Sequence, residues 1–175
     1  MFEKGYVHIY TGNGKGKTTA ALGLAFRAAG SGIATLVIQF MKGLPSGERD
    51  AAAMTGGLVR VESHGSDRFC RPDDGSFEEH RTLARGALER ARRALAGDEC
   101  AILVLDEIIT AAAFRLISDA EILDLVGSRP EGLELVLTGR GASDELIEHA
   151  DLVTEMREIK HYYNDGVPPR KGIED

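Results

Sequence analysis

The stretch Thr11-Gly-Asn-Gly-Lys-Gly-Lys-Thr18 decides the fold of this chain. An apolar run at 6–10, typical of a strand, precedes it, and a helix-like run at 18–29 follows it. Glycines allow the backbone between them to curl until successive N–H groups point at phosphate oxygens, and the helix N-terminus adds its positive dipole end. The stretch therefore predicts a cradle for nucleotide phosphates, in which Lys17 reaches the outer phosphates and the Thr18 hydroxyl ligates Mg²⁺.

This phosphate loop departs from the usual pattern G-x-x-x-x-G-K-[ST] at its first position. The chain has Thr11 there, and it carries extra glycines at Gly12 and Gly14. We expect a loop of unusual shape, in which the phosphates do not sit as they do in an ordinary ATPase. The alternative is a glycine-rich turn without a ligand, but glycine is entropically costly to order and Lys15 and Lys17 repel each other.

Strand-like and helix-like runs alternate along the rest of the chain. This alternation predicts right-handed βαβ crossovers, and hence an α/β fold with a mainly parallel central sheet and helices on both faces. A length of 175 residues suits one domain that spans residues 1–175. The strand-like runs are 33–40, 58–62, 101–106, 133–138 and 152–154, and the helix-like runs are 77–95, a segment after the capping box at 118–121, and 144–149. Segments 41–47, 63–76 and 164–175 look irregular and are expected to lie near the carboxyl ends of the strands.

Composition narrows the class of protein. The net charge of −7 argues against a general nucleic-acid binder, which would carry a basic face. No apolar run approaches the roughly 20 residues that cross a bilayer, and the N-terminus lacks a signal-peptide layout. Two cysteines do not make a disulfide framework. These features predict a cytoplasmic protein without a membrane segment.

Two adjacent acids end the apolar run at 101–106. Asp106 and Glu107 fall where the carboxyl end of a strand would lie beside the phosphate loop, and there they can hold Mg²⁺ directly or through water. The alternative is a solvated strand end. The Lys17-Thr18 motif upstream favours the metal site.

Two further charged segments follow strand-like runs. In Thr138-Gly-Arg-Gly141, Arg140 can reach phosphate with its planar guanidinium, although a plain turn with a solvated arginine explains the spacing equally well. After the run at 33–40, Lys42 and Arg49 could neutralise phosphate and Glu48 could hydrogen-bond a ribose. The residues alone favour a charged surface loop at this second segment.

Taken together, the motifs resemble those of the ATP:corrinoid adenosyltransferases, the P-loop family that makes adenosylcobalamin. The resemblance spans residues 5–174 and includes the phosphate-loop variant with threonine in place of the first glycine. It implies a RecA-like P-loop fold, usually in a homodimer. It also implies transfer of the 5′-deoxyadenosyl group from MgATP to the cobalt of a reduced corrinoid, cob(I)alamin or a precursor, with release of triphosphate. The motifs that carry it are 11–20, Gln39-Phe-Met-Lys-Gly43, Gly47-Glu-Arg49, Leu105-Asp-Glu107, Thr138-Gly-Arg140, Glu158-Ile-Lys-His161 and Lys171-Gly-Ile-Glu174.

The resemblance also implies roles for individual residues. Lys17 binds phosphate, Thr18 and Glu107 hold Mg²⁺ with help from Asp106, Arg49 approaches the nucleoside and Arg140 supports the phosphate pocket. The triphosphate is lined by Gly12, Asn13, Gly14, Lys15, Gly16 and Thr19. An electron donor of flavoprotein type would reduce Co(II).

The chain departs from the best-known members near the corrinoid. Those members place an aromatic pair containing tryptophan in the loop after the third strand, whereas this chain has no tryptophan. Phe69 is the candidate for the apolar wedge that displaces the lower ligand of the cobalt; the alternative is that Phe69 covers the core. The family's longer N-terminal segment is also missing ahead of the first strand.

Two other classes of function stay open on the residues alone. An ordinary P-loop ATPase or small-molecule kinase would release ADP, whereas an adenosyltransferase releases triphosphate. A nucleotide-dependent corrinoid carrier would bind without forming a carbon–cobalt bond. Product identification separates all three.

Overall fold

A computed structural model of the protein describes residues 1–44, 46–68, 70 and 75–174. Its centre is a six-stranded sheet in the order β3-β2-β4-β5-β1-β6, in which every neighbouring pair is parallel. The strands are β1 Val7–Thr11, β2 Thr35–Phe40, β3 Val59–His64, β4 Ile102–Asp106, β5 Glu134–Thr138 and β6 Leu152–Glu155. The predicted α/β class with a parallel sheet is confirmed.

Helices cover both faces of the sheet, so the fold has three layers. On one face α1 and α2 pack against Val37, Val104 and Val136, and on the other α3, α4, α5 and α6 pack against Leu36, Ile38 and their neighbours. The helices are α1 Lys17–Ala29, α2 Gly47–Ala53, α3 Phe77–Ala96, α4 Ile108–Ala113, α5 Asp119–Ser128 and α6 Asp144–Glu148, and a 3₁₀ turn follows at Tyr162–Asp165.

The central strands are apolar because both of their faces are covered. All six residues of β2 are buried, and alternate side chains enter the two opposite cores. The register pairs Val37 of β2 with Val104 of β4, and Leu103 of β4 with Leu135 of β5. The sheet therefore fixes which strand ends are neighbours at its carboxyl edge.

Local helix signals were accurate where a cap defines the start. Ser118 and Glu121 form the predicted capping box, with Ser118 Oγ accepting from Glu121 N at 3.3 Å and Glu121 Oε2 accepting from Ser118 N at 2.9 Å. Ser143 Oγ accepts from Leu146 N at 3.3 Å and caps α6, at the start of the predicted helix-like run 144–149. Capping reliably fixes where a helix begins because it satisfies otherwise unpaired N–H groups.

Two helices were missed by the sequence analysis. The prediction of a charged surface loop at Gly47–Arg49 is wrong, because these residues form the first turn of α2. Helix α4 is only six residues long and was not predicted. Neither helix is long enough to show a full apolar stripe of period 3.6, which is the signal that distinguishes a helix from a loop.

The C-terminal part of the chain returns to the phosphate loop. Strand β6 pairs with β1 at the edge of the sheet, from His8↔Leu152 to Thr11↔Glu155. The residues that follow therefore leave the sheet beside the loop that follows β1. Within the part of the chain that the structure describes, no helix is both long and apolar enough to cross a membrane.

Candidate functional site

The phosphate loop joins the end of β1 to α1 at the carboxyl edge of the sheet. Gly16 immediately precedes α1 with a φ of 118°, a left-handed conformation that glycine adopts without strain. Lys17 is 5% exposed, and its Nζ donates to Gly12 O and Gly14 O, both at 2.8 Å. An ammonium has three donors, so one remains for a phosphate. Burial lowers the pKa of Lys17, and the nearby charge of Glu107 partly opposes that shift.

Thr11 has a structural explanation. It is the last residue of β1 and is 8% exposed, and its Oγ1 accepts from Ala142 N at 3.4 Å. The position that carries glycine in the usual pattern is here still part of the strand. Its side chain ties the phosphate loop to the segment after β5, which also carries Arg140.

Asp106 lies at the centre of a buried polar network at the end of β4. Its Oδ1 accepts from Thr18 Oγ1 at 2.8 Å and from Thr138 Oγ1 at 2.7 Å, and its Oδ2 accepts from Gln39 Nε2 at 3.3 Å. The carboxylate is 2% exposed. Two strands, β2 and β5, and helix α1 thus supply the donors that stabilise the buried Asp106 carboxylate at the end of β4.

Glu107 adopts an uncommon backbone conformation beside this network. Its φ of 61° is left-handed, although it is not a glycine. Its N–H donates to Thr138 Oγ1 at 2.9 Å, and its Oε2 accepts a short hydrogen bond from Thr110 Oγ1. Thr110 Oγ1 in turn accepts from Arg140 N at 2.8 Å. These hydrogen bonds therefore hold Glu107 in its left-handed backbone conformation. Strained residues at functional sites are commonly kept in place by surrounding contacts of this kind.

The donor set at this edge fits Mg²⁺. The oxygens of Thr18, Asp106 and Glu107 are hard ligands of the kind that Mg²⁺ takes in nucleotide sites. Thr18 donates its only proton to Asp106, so the lone pairs of its oxygen stay available to a metal. The charges of Asp106 and Glu107 also interact favourably with Lys17. Metal, phosphate and lysine would share one small volume.

Arg140, Thr19 and Arg49 lie around this centre at different distances. Arg140 is exposed, and its charge helps to lower the pKa of Lys17, so the two cations are close. Thr19 and Glu48 line a largely apolar groove of about 330 Å³ between α1 and α2. Glu48 Oε1 accepts from Lys42 Nζ at 2.9 Å. Arg49 follows Glu48 on α2 and is exposed, but it is not one of the residues that line this groove. Phe69 lies outside the described residues.

The C-terminal residues form part of the environment of the phosphate loop, as expected for segment 164–175 near the carboxyl ends of the strands, but the individual contacts were not predicted. Gly14 N donates to Met156 O at 2.6 Å, and Met156 N donates to Thr11 O at 2.8 Å. Lys15 Nζ donates to Glu174 Oε1 at 2.7 Å. The signal that could have revealed this contact is the excess of glycine at Gly12 and Gly14, because a β-carbon there would lie 2.5 Å and 2.7 Å from Met156 O.

Comparisons with known proteins identify the family to which the chain belongs. Residues 3–174 match the family model described as ATP:corrinoid adenosyltransferase BtuR/CobO/CobP. A corrinoid adenosyltransferase of Escherichia coli strain K12 is 35% identical over 173 residues, which cover 98% of this chain and 86% of that protein. One from a Sinorhizobium species is 36% identical over 182 residues, covering 98% and 81%. The corrinoid adenosyltransferase CobA of Salmonella typhimurium is 34% identical over 178 residues, covering 98% and 86%.

A family model that matches nearly the whole chain is stronger evidence than a phosphate loop alone, because the loop also occurs in ATPases and kinases. The loop with Thr11, the acids after β4 and the C-terminal motif all fall within the matched range. The chain belongs to the family of ATP:corrinoid adenosyltransferases.

Proposed function

We propose that this ATP-using corrinoid adenosyltransferase presents the ribose C5′ of ATP, and not a phosphorus atom, to the cobalt of a reduced corrinoid, cob(I)alamin or a precursor. The carbon–cobalt bond forms as the C5′–oxygen bond breaks, and triphosphate leaves with the bonding electrons. The observation that carries the proposal is the meeting of Lys17, Thr18, Asp106 and Glu107 at one strand edge. This is a site built to hold a triphosphate with its metal.

Reduced cobalt is already a strong nucleophile, so the protein needs no general base. Its tasks are alignment of cobalt, C5′ and leaving group, and stabilisation of the charge that develops on triphosphate. Lys17 supplies one charged donor, and the N–H groups at the start of α1 supply further donors. Mg²⁺, held by Thr18 and Glu107 with Asp106, would neutralise part of the phosphate charge when bound.

The remaining assignments follow from position. Gly16, at the N-cap of α1, and Thr19, in its first turn, would surround the triphosphate, and Gly12, Asn13, Gly14 and Lys15 belong to the loop that leads into it. Arg140 extends the positive field at Lys17. On the other side, the groove beside Thr19 offers apolar walls, and Glu48 Oε2 has no hydrogen-bond partner within the described residues. A nucleoside placed along this side would meet Arg49.

We further propose that the chain acts as one domain in a homodimer in the cytoplasm, and that a flavoprotein-type electron donor reduces Co(II). The chain has two cysteines, too few for a disulfide framework, which suits a reducing compartment. Phe69 is proposed as the wedge beneath the cobalt. Family membership supports the dimer and the donor.

Product identification tests the reaction directly. The protein is incubated with MgATP and chemically reduced cobalamin, and both products are identified by chromatography and mass spectrometry. We expect adenosylcobalamin and inorganic triphosphate in equal amounts. ADP with phosphate, or a corrinoid that stays unalkylated, would contradict the proposal. The Lys17→Ala variant is the matched control for activity that does not depend on the loop.

A further inference from the structure

Lys15 lies in the phosphate loop, yet its side chain is fully engaged elsewhere. Its Nζ donates to Glu174 Oε1 at 2.7 Å, to Ile173 O at 2.9 Å and to Tyr162 OH at 3.2 Å. These three bonds use all three donors of the ammonium group. A phosphate could bind Lys15 only by displacing one of these partners.

The partner carboxylate is held in place from its own side as well. Glu174 Oε2 accepts from Arg170 N at 2.8 Å, and Tyr162 OH donates a short hydrogen bond to Glu174 Oε1. The Arg170 guanidinium lies 4.7 Å from the centre of the Tyr162 ring. Hydrogen bonds from Lys15, Tyr162 and Arg170 hold the pKa of Glu174 well below its usual range, so this group stays anionic.

A second set of contacts attaches the same segment to the same side of the loop. Gly14 N donates to Met156 O, so this N–H is not directed at a phosphate. A β-carbon on Gly14 would also lie 2.8 Å from the carbonyl carbon of Arg157. Residues 12–15 therefore turn one side towards residues 156–174, which we call the C-terminal segment. Gly16 to Thr19, at the start of α1, are left for the phosphates.

We propose that Lys15 and Glu174 are positioning residues, whose ion pair fastens the C-terminal segment to the phosphate loop and so sets the loop's shape for triphosphate. Lys15 acts through the loop and does not bind the nucleotide. The inference rests on the proposed function only in that the loop binds triphosphate. It replaces the expectation, drawn from resemblance, that Lys15 lines the triphosphate.

A double-mutant cycle tests this assignment. Affinities for ATP and for inorganic triphosphate are measured by calorimetry, without corrinoid, for Lys15→Met, Glu174→Gln and the double variant. Breaking the pair from either side releases the same segment, so we expect all three variants to lose affinity by the same factor, about tenfold. Lys15→Arg, which keeps the ion pair, should stay close to the wild-type protein.

Two outcomes would overturn the proposal. If Lys15→Met weakens binding as strongly in the Glu174→Gln background as in the wild type, Lys15 contacts phosphate. If Glu174→Gln tightens binding, the carboxylate competes with the nucleotide for Lys15. Lys160→Met and Asp165→Asn, exposed positions in the same segment, are the charge-matched controls and should leave affinity unchanged.

Amide hydrogen exchange is a second measurement, and its rates in the nucleotide-free protein would not change if Lys15 only contacted phosphate. In the nucleotide-free protein, Lys15→Met and Glu174→Gln should each accelerate amide exchange across residues 158–174, while β4 and β5 keep their protection. Unchanged exchange in the segment would also overturn the proposal, and unchanged strand protection confirms that the variants fold. Identification of ADP as the product of the wild-type protein would refute the proposed reaction and leave this cycle interpretable.

Discussion

Replacing Thr138 by valine should destabilise the protein and loosen the proposed Mg²⁺ site. Thr138 is fully buried at the end of β5. Its hydroxyl donates to Asp106 Oδ1 at 2.7 Å and accepts from Glu107 N at 2.9 Å. Valine has nearly the same shape, so Thr138→Val removes both hydrogen bonds without opening a cavity. The change isolates the polar contribution of one oxygen atom.

The expected magnitude follows from the two bonds. Losing a hydrogen bond to a charged carboxylate costs about 1.5–3 kcal/mol, and leaving the Glu107 N–H unpaired costs about 1–3 kcal/mol. The two terms share one atom and are not additive, so we expect a loss of about 2–4 kcal/mol in the free energy of unfolding. At about 2–4 °C per kcal/mol for a chain of this size, Tm should fall by roughly 5–15 °C.

Chemical denaturation and calorimetry measure this loss, and Thr35→Val is the matched control. Thr35 is 1% exposed in β2 of the same sheet, and its Oγ1 has no hydrogen-bond partner in the described part of the chain. Removing that hydroxyl should leave stability unchanged or raise it slightly. If Thr138→Val costs no more than Thr35→Val, the network around Asp106 does not stabilise the fold. For the Thr138→Val protein that remains folded, the Mg²⁺ concentration that gives half-maximal activity should also rise, because the Glu107 N–H loses its hydrogen bond to the Thr138 hydroxyl.

Lys17→Ala should remove most transferase activity, since one charged partner of the leaving triphosphate disappears, and near-normal turnover would contradict the role. Burial lowers the pKa of Lys17, so ATP affinity should fall with rising pH at a lower pH than an ordinary lysine would cause. Lys17→Arg should move this decline to higher pH. If both proteins show the same pH profile, deprotonation of Lys17 is not the reason for the decline. Gly14→Ala should raise the KM for ATP at least tenfold, because its β-carbon would meet the backbone of Met156, whereas Gly86→Ala, with open space around it inside α3, should stabilise by about 0.5–1 kcal/mol. Phe69→Ala should spare reaction with pre-reduced cob(I)alamin and slow the reaction that starts from Co(II); equal losses in both assays would argue against a ligand-displacing wedge.

Much of the fold could be predicted because its signals are local. The fully buried strands are mostly apolar, and the capping box at 118–121 marks the start of α5 with its own hydrogen bonds. The strand–loop–helix around Lys17 then fixes which edge of the sheet carries the site. The positions of Asp106 and Glu107 followed from the end of β4, and in the structure Asp106 accepts a hydrogen bond from Thr18 there.

The parts that could not be predicted depend on contacts between distant residues. Helix α2 has no full turn of apolar repeat, so only its packing beside β3 shows that it is a helix. The role of Thr138 depends on a hydroxyl that reaches Asp106 at the end of β4 and Glu107 immediately after it, which no spacing along the chain displays. Contacts between Lys15 and Glu174 span nearly the whole sequence, and no local pattern encodes them.

The glycine-rich loop shows how one composition can serve two requirements. Gly16 is needed for its left-handed backbone at the start of α1, which is a demand of the phosphate cradle. Gly14 does not have a positive φ, and its side-chain space is filled by the backbone of Met156 and Arg157. Gly14 is therefore required by the C-terminal segment, as Lys15 is through Glu174. An ordinary P-loop without such a segment has no reason to keep glycine at 14 or an anchoring lysine at 15, so packing on the far side of the loop explains the extra glycine at 14, as the end of β1 explains Thr11.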